Sequence, residues 1–210
     1  LPKTGELAQR PEAERIRKLV QNRKGYFKKG GFLDQELKNP QEKLINKNII
    51  DGIIYCTQSQ DYIMPSNAFL LHEYLDLKIN VFAYDFSHAC TGYVYALAMA
   101  YSYITAGLAE CLLLVTADTY SKYINKHDRS ARVLFGDGAA VCVVKRTVNS
   151  NKLFSVDFTT SGKNHNLFYI PAGGHRLPLT SSTSQEVLDE MGNIRSQENI
   201  YMDGLGVWSF

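Results

Sequence analysis

The chain has 210 residues, the size of one large domain or two small ones. Apolar residues make up 45% and charged residues 21%, a composition that builds a packed core and excludes wholesale disorder. Lys and Arg number 23 against 21 Asp and Glu, and the resulting net charge of +2 excludes nucleic acid or an anionic membrane as an electrostatically driven partner.

Residues 1–48 are polar and weakly patterned. LPKTG at Leu1–Gly5 matches a sortase motif but stands at the front, without the apolar segment and basic tail of a sorting signal, and is taken as coincidence. The basic start and apolar stretch of a signal peptide are not seen. Glu12–Asn22 follows Pro11 and spaces Ile16, Leu19 and Val20 as one face of a short charged helix. The segment NRKGYFKKGGFLDQ reads as a solvated loop, with enough basic residues to contact a phosphate.

From residue 49 to 146 the pattern is regular. The Ile-rich run Ile49–Cys56 predicts a buried strand, Pro65 starts a helix reaching about Asp76, and Ile79–Phe86 is a second strand. Thr91–Gly107 predicts a helix with Tyr93, Ala96, Leu97, Ala100, Tyr101 and Ile104 on one face. Its opposite face, with Ala98, Met99 and Ala106, is apolar too, so the helix is expected to be covered on all sides. Phe86–Ala109 runs 24 residues without a formal charge, yet its Ser, Thr, His and Tyr content fits a buried helix better than a membrane span. Cys111–Ala117 is a third strand. Strands alternating with helices at this spacing imply βαβ units and an α/β fold on a mostly parallel, buried sheet. Ala131–Phe135 and Ala139–Val144 flank Gly136-Asp137-Gly138, which predicts a hairpin whose glycines take positive φ. Residues 147–198 read as connecting strands (Leu153–Phe158, Leu167–Ile170) and loops. Residues 199–210 end on Val207, Trp208 and Phe210, an apolar close that looks interrupted.

The four cysteines carry no metal-ligand spacing, so no metal site is expected. Cys56, Cys111 and Cys142 lie in apolar runs and read as buried thiols, which points to a reducing, cytoplasmic compartment. Cys90 differs. It falls between a strand and a helix, at the sheet edge where open α/β folds bind ligands. There the positive end of the helix favours a thiolate, and Gly92 leaves room for a substrate. A nucleophile and a structural cysteine both satisfy this position, and the residues alone leave the two open. His88, two residues earlier, reads as a turn stabiliser that could also tune the thiol.

DFSHACTGYVYALAMAYSYITAGLAECLLLVTAD followed by DRSARVLFGDGAAVCVV resembles the thiolase superfamily, and within it β-ketoacyl-acyl-carrier-protein synthase III. Ala89, Cys90, Thr91, Gly92 and Tyr93 match that family's nucleophile segment, and Phe135 to Ala139 match its FGDGAGA-like loop. PAGGHRLP and ENIYMDGLGVWSF resemble its middle segments, so the likeness runs from Ile49 to Phe210. The resemblance implies a thiolase-like α/β half in which a buried helix carries the nucleophile. Cys90 would take an acyl group from acyl-CoA, and malonyl-acyl carrier protein would lose carbon dioxide and condense with the thioester. The backbone N–H of Cys90 would donate to the oxyanion, and no metal or organic cofactor would be required.

The family also forms homodimers. The loop matching Gln60–Pro65 reaches the neighbouring subunit's acyl pocket there, which places Met64 among the site residues with Gly92, Gly136, Asp137 and Gly138. Its decarboxylating His and Asn lie in a C-terminal half to which no residue here corresponds. Its Trp- and Arg-containing CoA stretch is not matched by NRKGYFKKGGF. TADTYSKYINKHDRS is as similar to relatives found with surface-polysaccharide genes as to those of general lipid synthesis. The alternative is a non-catalytic or truncated dimer partner of the same fold.

Overall fold

The computed structural model describes residues 46–147 and 155–209. The helix expected at Glu12–Asn22 and the glycine-rich loop after it lie outside the described residues. The described residues form two compact units that interleave in sequence: 46–118 with 139–147, and 119–138 with 155–209.

The first unit is built on a four-stranded sheet. Its elements are β1 (Gly52–Cys56), α1 (Asn67–Tyr74), β2 (Phe82–Phe86), α2 (Gly92–Thr105), β3 (Cys111–Thr119) up to its last residue, and β4 (Asp137–Lys145) from its third residue on. The strand order is β2-β1-β3-β4. β1 pairs in parallel with both β2 and β3, with Ile54 opposite Tyr84 on one side and Leu114 on the other. Successive side chains of a strand point to opposite faces. Ile53, Tyr55, Leu113 and Val115 therefore pack with Ala68 and Leu71 of α1 on one face. Ile54, Leu112 and Leu114 pack with Ala96 and Ala100 of α2 on the other. Helices on both faces explain why β1 and β3 are near-continuous apolar runs rather than alternating ones. Each fully buried Ile or Leu contributes about 1.5–3 kcal/mol.

Three carboxylates fasten these elements by accepting from backbone N–H groups. Asp51, just before β1, accepts from Glu110 and Cys111 at 2.7 and 2.9 Å. Asp118, near the end of β3, accepts from Gln58 N–H at 2.7 Å and from the Ser59 hydroxyl at 3.1 Å. Asp85 of β2 accepts from Asn67 and Ala68 N–H at 2.5 and 2.7 Å. The α1 cap residue Ser66 makes no side-chain cap bond, so Asp85 performs that task from a neighbouring strand. Burial raises the Asp85 carboxyl pKa and these two bonds oppose the rise. Asp85→Ala is expected to cost about 1–2 kcal/mol, the range for losing a helix cap, read as a lower urea midpoint with faster amide exchange confined to the start of α1.

The second unit contains short antiparallel pairs: β5 (Phe168–Tyr169) with β8 (Tyr201–Met202), and β6 (Val187–Leu188) with β7 (Ile194–Arg195). α3 (Gly204–Trp208) begins at Asp203, whose carboxylate accepts from Gly206 N–H at 3.0 Å. Asp128 is fully buried and bonds Arg195 of β7 at 2.6 Å.

Three sequence expectations are corrected. α2 is not covered on all sides: it buries Gly92, Ala96 and Ala100, while Tyr93, Val94 and Tyr101 are exposed. Small residues mark the packed side, and an outward apolar side looks the same in sequence whether its own chain or another covers it. No hairpin surrounds Gly136-Asp137-Gly138. Residues 131–134 form a turn wound by bonds from Leu134 and Phe135 N–H to Ala131 O, and β4 begins inside the motif. Neither of these glycines takes positive φ. Residues 155–158 are not in a strand; the rest of that predicted strand lies outside the described residues. Among the described residues no helix is long and apolar enough to cross a membrane.

Candidate functional site

β2 ends at Phe86 and α2 begins at Gly92, so residues 87–91 form the strand-to-helix turn that carries Cys90. The turn is closed by the bond from Gly92 N–H to Ala89 O at 2.8 Å, and Thr91 O starts the helix by accepting from Tyr95 N–H at 3.1 Å. Cys90 is exposed. The turn belongs to the edge of the sheet where the parallel strands β1 and β2 both end, and Thr57 N–H bonds Phe86 O across that edge at 3.1 Å. This is the edge at which open α/β sheets place their ligands.

Gly92 serves packing. A Cβ built there would lie 2.3 Å from Cys56 Sγ and 3.1 Å from His88 Cβ. The start of α2 thus sits directly on the end of β1. The open space predicted there for a substrate is filled by the Cys56 sulfur.

Cys56 and Cys111, unlike Cys90, are buried. The buried Cys56 thiol donates to His88 O at 3.2 Å, and burial pushes its pKa up to about 11. Burial also raises the Cys111 thiol pKa. Raised thiols remain protonated near neutrality and are poor nucleophiles. Cys142 is half-buried, not fully buried as predicted, because β4 borders the sheet.

His88 lines the turn. Its Nδ1 shares a hydrogen bond of 3.0 Å with Thr91 Oγ1, and its ring stacks on Tyr95 at 4.3 Å between centroids. Met64 stands on the segment between β1 and α1 and is 79% exposed, beside Ile63 at 95%. That segment is fastened at one end by Asp118 and at the other by Asn67, whose Oδ1 accepts from Asp61 N–H at 3.0 Å. Asp118 was not singled out from sequence, since its partners lie about 60 residues away and no local spacing announces them.

Cys90 and Gly92 therefore share one turn, and Met64 belongs to the same unit. The Gly136-Asp137-Gly138 motif lies in the second unit, where Asp137 accepts from Ser121 N–H at 2.9 Å and from its hydroxyl at 2.8 Å. Among its neighbours in that unit, Phe135 packs against Tyr120 and Phe168 at centroid distances of 5.7 and 5.4 Å.

Comparisons with known proteins find similar chains. A sequence model of the family described as 3-oxoacyl-[acyl-carrier-protein (ACP)] synthase III matches residues 84–162, which include the Cys90 turn and the Gly136-Asp137-Gly138 motif. A β-ketoacyl-[acyl-carrier-protein] synthase III of Chlamydia muridarum is 42% identical over 142 residues, 67% of this chain and 43% of that protein. One of Fusobacterium nucleatum is 30% identical over 178 residues, 84% of this chain and 51% of that protein. A crystal structure of 3-oxoacyl-(acyl-carrier-protein) synthase III superimposes with a TM-score of 0.79 at 33% identity, covering 95% of this chain and 53% of the other. A crystal structure of β-ketoacyl-[acyl carrier protein] synthase III from Thermus thermophilus gives a TM-score of 0.61 at 30% identity, covering 77% of this chain and 46% of the other. The chain spans about half the length of the relatives it matches. Its α/β architecture is the thiolase-type fold expected from the resemblance.

Proposed function

Since this chain belongs to the 3-oxoacyl-[acyl-carrier-protein] synthase III family, we propose that it carries the acyl-accepting cysteine of a decarboxylating condensation. The Cys90 thiolate attacks the carbonyl of an acyl-CoA, the carbon–sulfur bond to CoA breaks, and CoA leaves as its thiolate. Malonyl-acyl carrier protein then loses carbon dioxide. The carbanion attacks the acyl-cysteine, Cys90 departs as thiolate, and a β-ketoacyl carrier-protein thioester is released. The Cys90 backbone N–H faces the oxyanion formed in each attack. This chemistry runs on the two thioesters and requires no metal or organic cofactor.

One observation carries the reading. Cys90 is exposed on a strand-to-helix turn at the ligand-binding edge of the sheet, while Cys56 and Cys111 are buried thiols of raised pKa. The exposed outer side of α2, with Tyr93, Val94 and Tyr101, and the exposed Ile63 and Met64 support a homodimer. In it Met64 lines the partner's acyl pocket and the Gly136-Asp137-Gly138 segment contributes to substrate binding. Free thiols suit a cytoplasmic enzyme.

The test is a map of the acyl group. The intact protein is mixed with acyl-CoAs from acetyl to octanoyl and digested, and its peptides are weighed. The added acyl mass is expected on the peptide holding Cys90. Acyl mass on another cysteine would reject Cys90 as nucleophile. Acyl mass nowhere, with Cys90 still open to iodoacetamide, would favour the non-catalytic dimer partner.

A further inference from the structure

We propose that His88 is a positioning residue, the side chain that holds the Cys90 turn in register with α2; the inference rests on the acyl-cysteine reading above. Thr91 is the cap residue of α2, the place where a Thr hydroxyl ordinarily bonds a first-turn N–H. Here it makes no such bond. Its Oγ1 is directed instead to His88 Nδ1, at 3.0 Å. The imidazole lies on Tyr95, one helical turn further along, with ring planes inclined by only 25°, and its other neighbour is Phe86, at 6.2 Å between centroids. The His88 backbone is held as well, because its carbonyl accepts from the buried Cys56 thiol at 3.2 Å.

Cys90 therefore sits on a short arc fixed at both ends. His88 anchors one end to β1 through its carbonyl and to α2 through its ring. Thr91 and Gly92 anchor the other. Among the described residues the exposed thiol makes no such contact of its own, so its aim depends on the clamp. A bound acyl thioester must meet the sulfur at a defined distance and angle, and a small shift of either is costly. A small, freely diffusing electrophile requires only access. The clamp thus affects transfer from a bound thioester more than simple alkylation.

The experiment compares the intact wild-type protein with His88→Ala, His88→Asn, Thr91→Val and the His88→Ala/Thr91→Val pair. For each, the initial rate at Cys90 is measured with acyl-CoA from acetyl to octanoyl and, separately, with iodoacetamide. His88→Ala is expected to slow acylation about fivefold or more, the factor that corresponds to one lost hydrogen bond. Iodoacetamide labelling is expected to change by less than about twofold, since it requires access rather than alignment. Asn presents a polar atom near the place of Nδ1 and is expected to recover much of the acylation rate. The pair is expected to be no slower than His88→Ala, because both changes remove the same bond. Thr91→Val alone reads that bond should the alanine variant not fold. Unchanged acylation in His88→Ala, multiplicative losses in the pair, or an equal loss with iodoacetamide would each overturn the positioning role. A wild type that iodoacetamide labels at Cys90 and no acyl-CoA acylates would instead remove the acyl-cysteine reading, and this inference with it.

Discussion

Asp128→Ala is expected to lower stability by about 3–5 kcal/mol, the range for stripping one partner from a buried ion pair. Asp128 is fully buried and accepts from Ser130 N–H at 2.8 Å, from the Ser130 hydroxyl at 2.7 Å, from Ala131 N–H at 3.0 Å and from Arg195 Nε at 2.6 Å. Arg195 in turn reaches Ser130 Oγ at 2.6 Å and lies over the Tyr201 ring at 5.4 Å. Removing the carboxylate leaves two backbone N–H groups without their acceptor and the guanidinium with only Ser130 Oγ and, at 3.5 Å, Asp189. The result to look for is faster amide exchange across 125–131 and 187–195 together. Asp128→Leu paired with Arg195→Met is expected to recover the part of the loss that comes from the unpaired charge, while the Ser130 and Ala131 N–H groups stay without their acceptor. Exchange that changes in one segment alone would show that the ion pair does not join them.

The same carboxylate fixes a pH dependence. Burial works to raise the Asp128 pKa, but the bonds from Arg195, Ala131 and Ser130 outweigh it and hold the carboxyl below the ordinary range. A carboxyl with a depressed folded pKa stabilises fully above its unfolded value of about 3.9 and ceases to do so as the pH falls through the folded value. Asp189 is shifted the same way, its partial burial outweighed by bonds from Asn193 and the charge of Arg195. Urea midpoints measured across the acid range should decline as the pH drops below about 4, the ordinary carboxylate region. Asp128→Asn should flatten that decline, and an identical acid limb in both proteins would assign it to other groups.

Legibility in the sequence follows the range of the forces involved. β1 and β3 were readable because both faces of the sheet are covered, and two-faced burial writes itself as the run GIIYC or CLLLVTADT. The Cys90 turn was readable because a strand, a short polar break and a small-residue helix follow one another without interruption. The outer side of α2 was misread, since Tyr93, Val94 and Tyr101 have the same composition whether or not a neighbour covers them. Residues 131–135 were misread because Ala-Arg-Val-Leu-Phe has strand composition. The Asp128 carboxylate accepting from Ser130 and Ala131 N–H wraps the chain there instead. The carboxylates that fasten the fold stayed hidden for a related reason. Asp85 meets its partners 17 and 18 residues away and Asp128 meets Arg195 at a separation of 67, distances at which no periodicity survives.

Gly92→Ala is expected to destabilise the first unit by about 3 kcal/mol, the upper part of the usual range for overpacking a closed interior. On helix propensity alone the change should stabilise, by less than the about 1 kcal/mol of a helix interior because Gly92 is the first residue of α2. Contact reverses the sign. The new Cβ would lie 2.3 Å from Cys56 Sγ, and that sulfur cannot swing away freely, since it is buried and bonded to His88 O. The start of α2 must lift off β1, carrying the Cys90 turn with it. Cys56→Ala removes the obstructing atom, leaving His88 Cβ at 3.1 Å and Cys56 Cβ at 3.6 Å from the added methyl group. The double variant is therefore expected to be more stable than Gly92→Ala alone, although Cys56→Ala by itself loosens the core. Such a reversal is a coupling of about 2 kcal/mol between two residues 36 positions apart in sequence, within the range for side chains in direct contact. Urea unfolding of the four proteins measures it. Additive losses would mean that the added methyl group is opposed by something other than the Cys56 sulfur; a coupled recovery would mean that the nucleophile turn is seated by the absence of a single side chain over that sulfur.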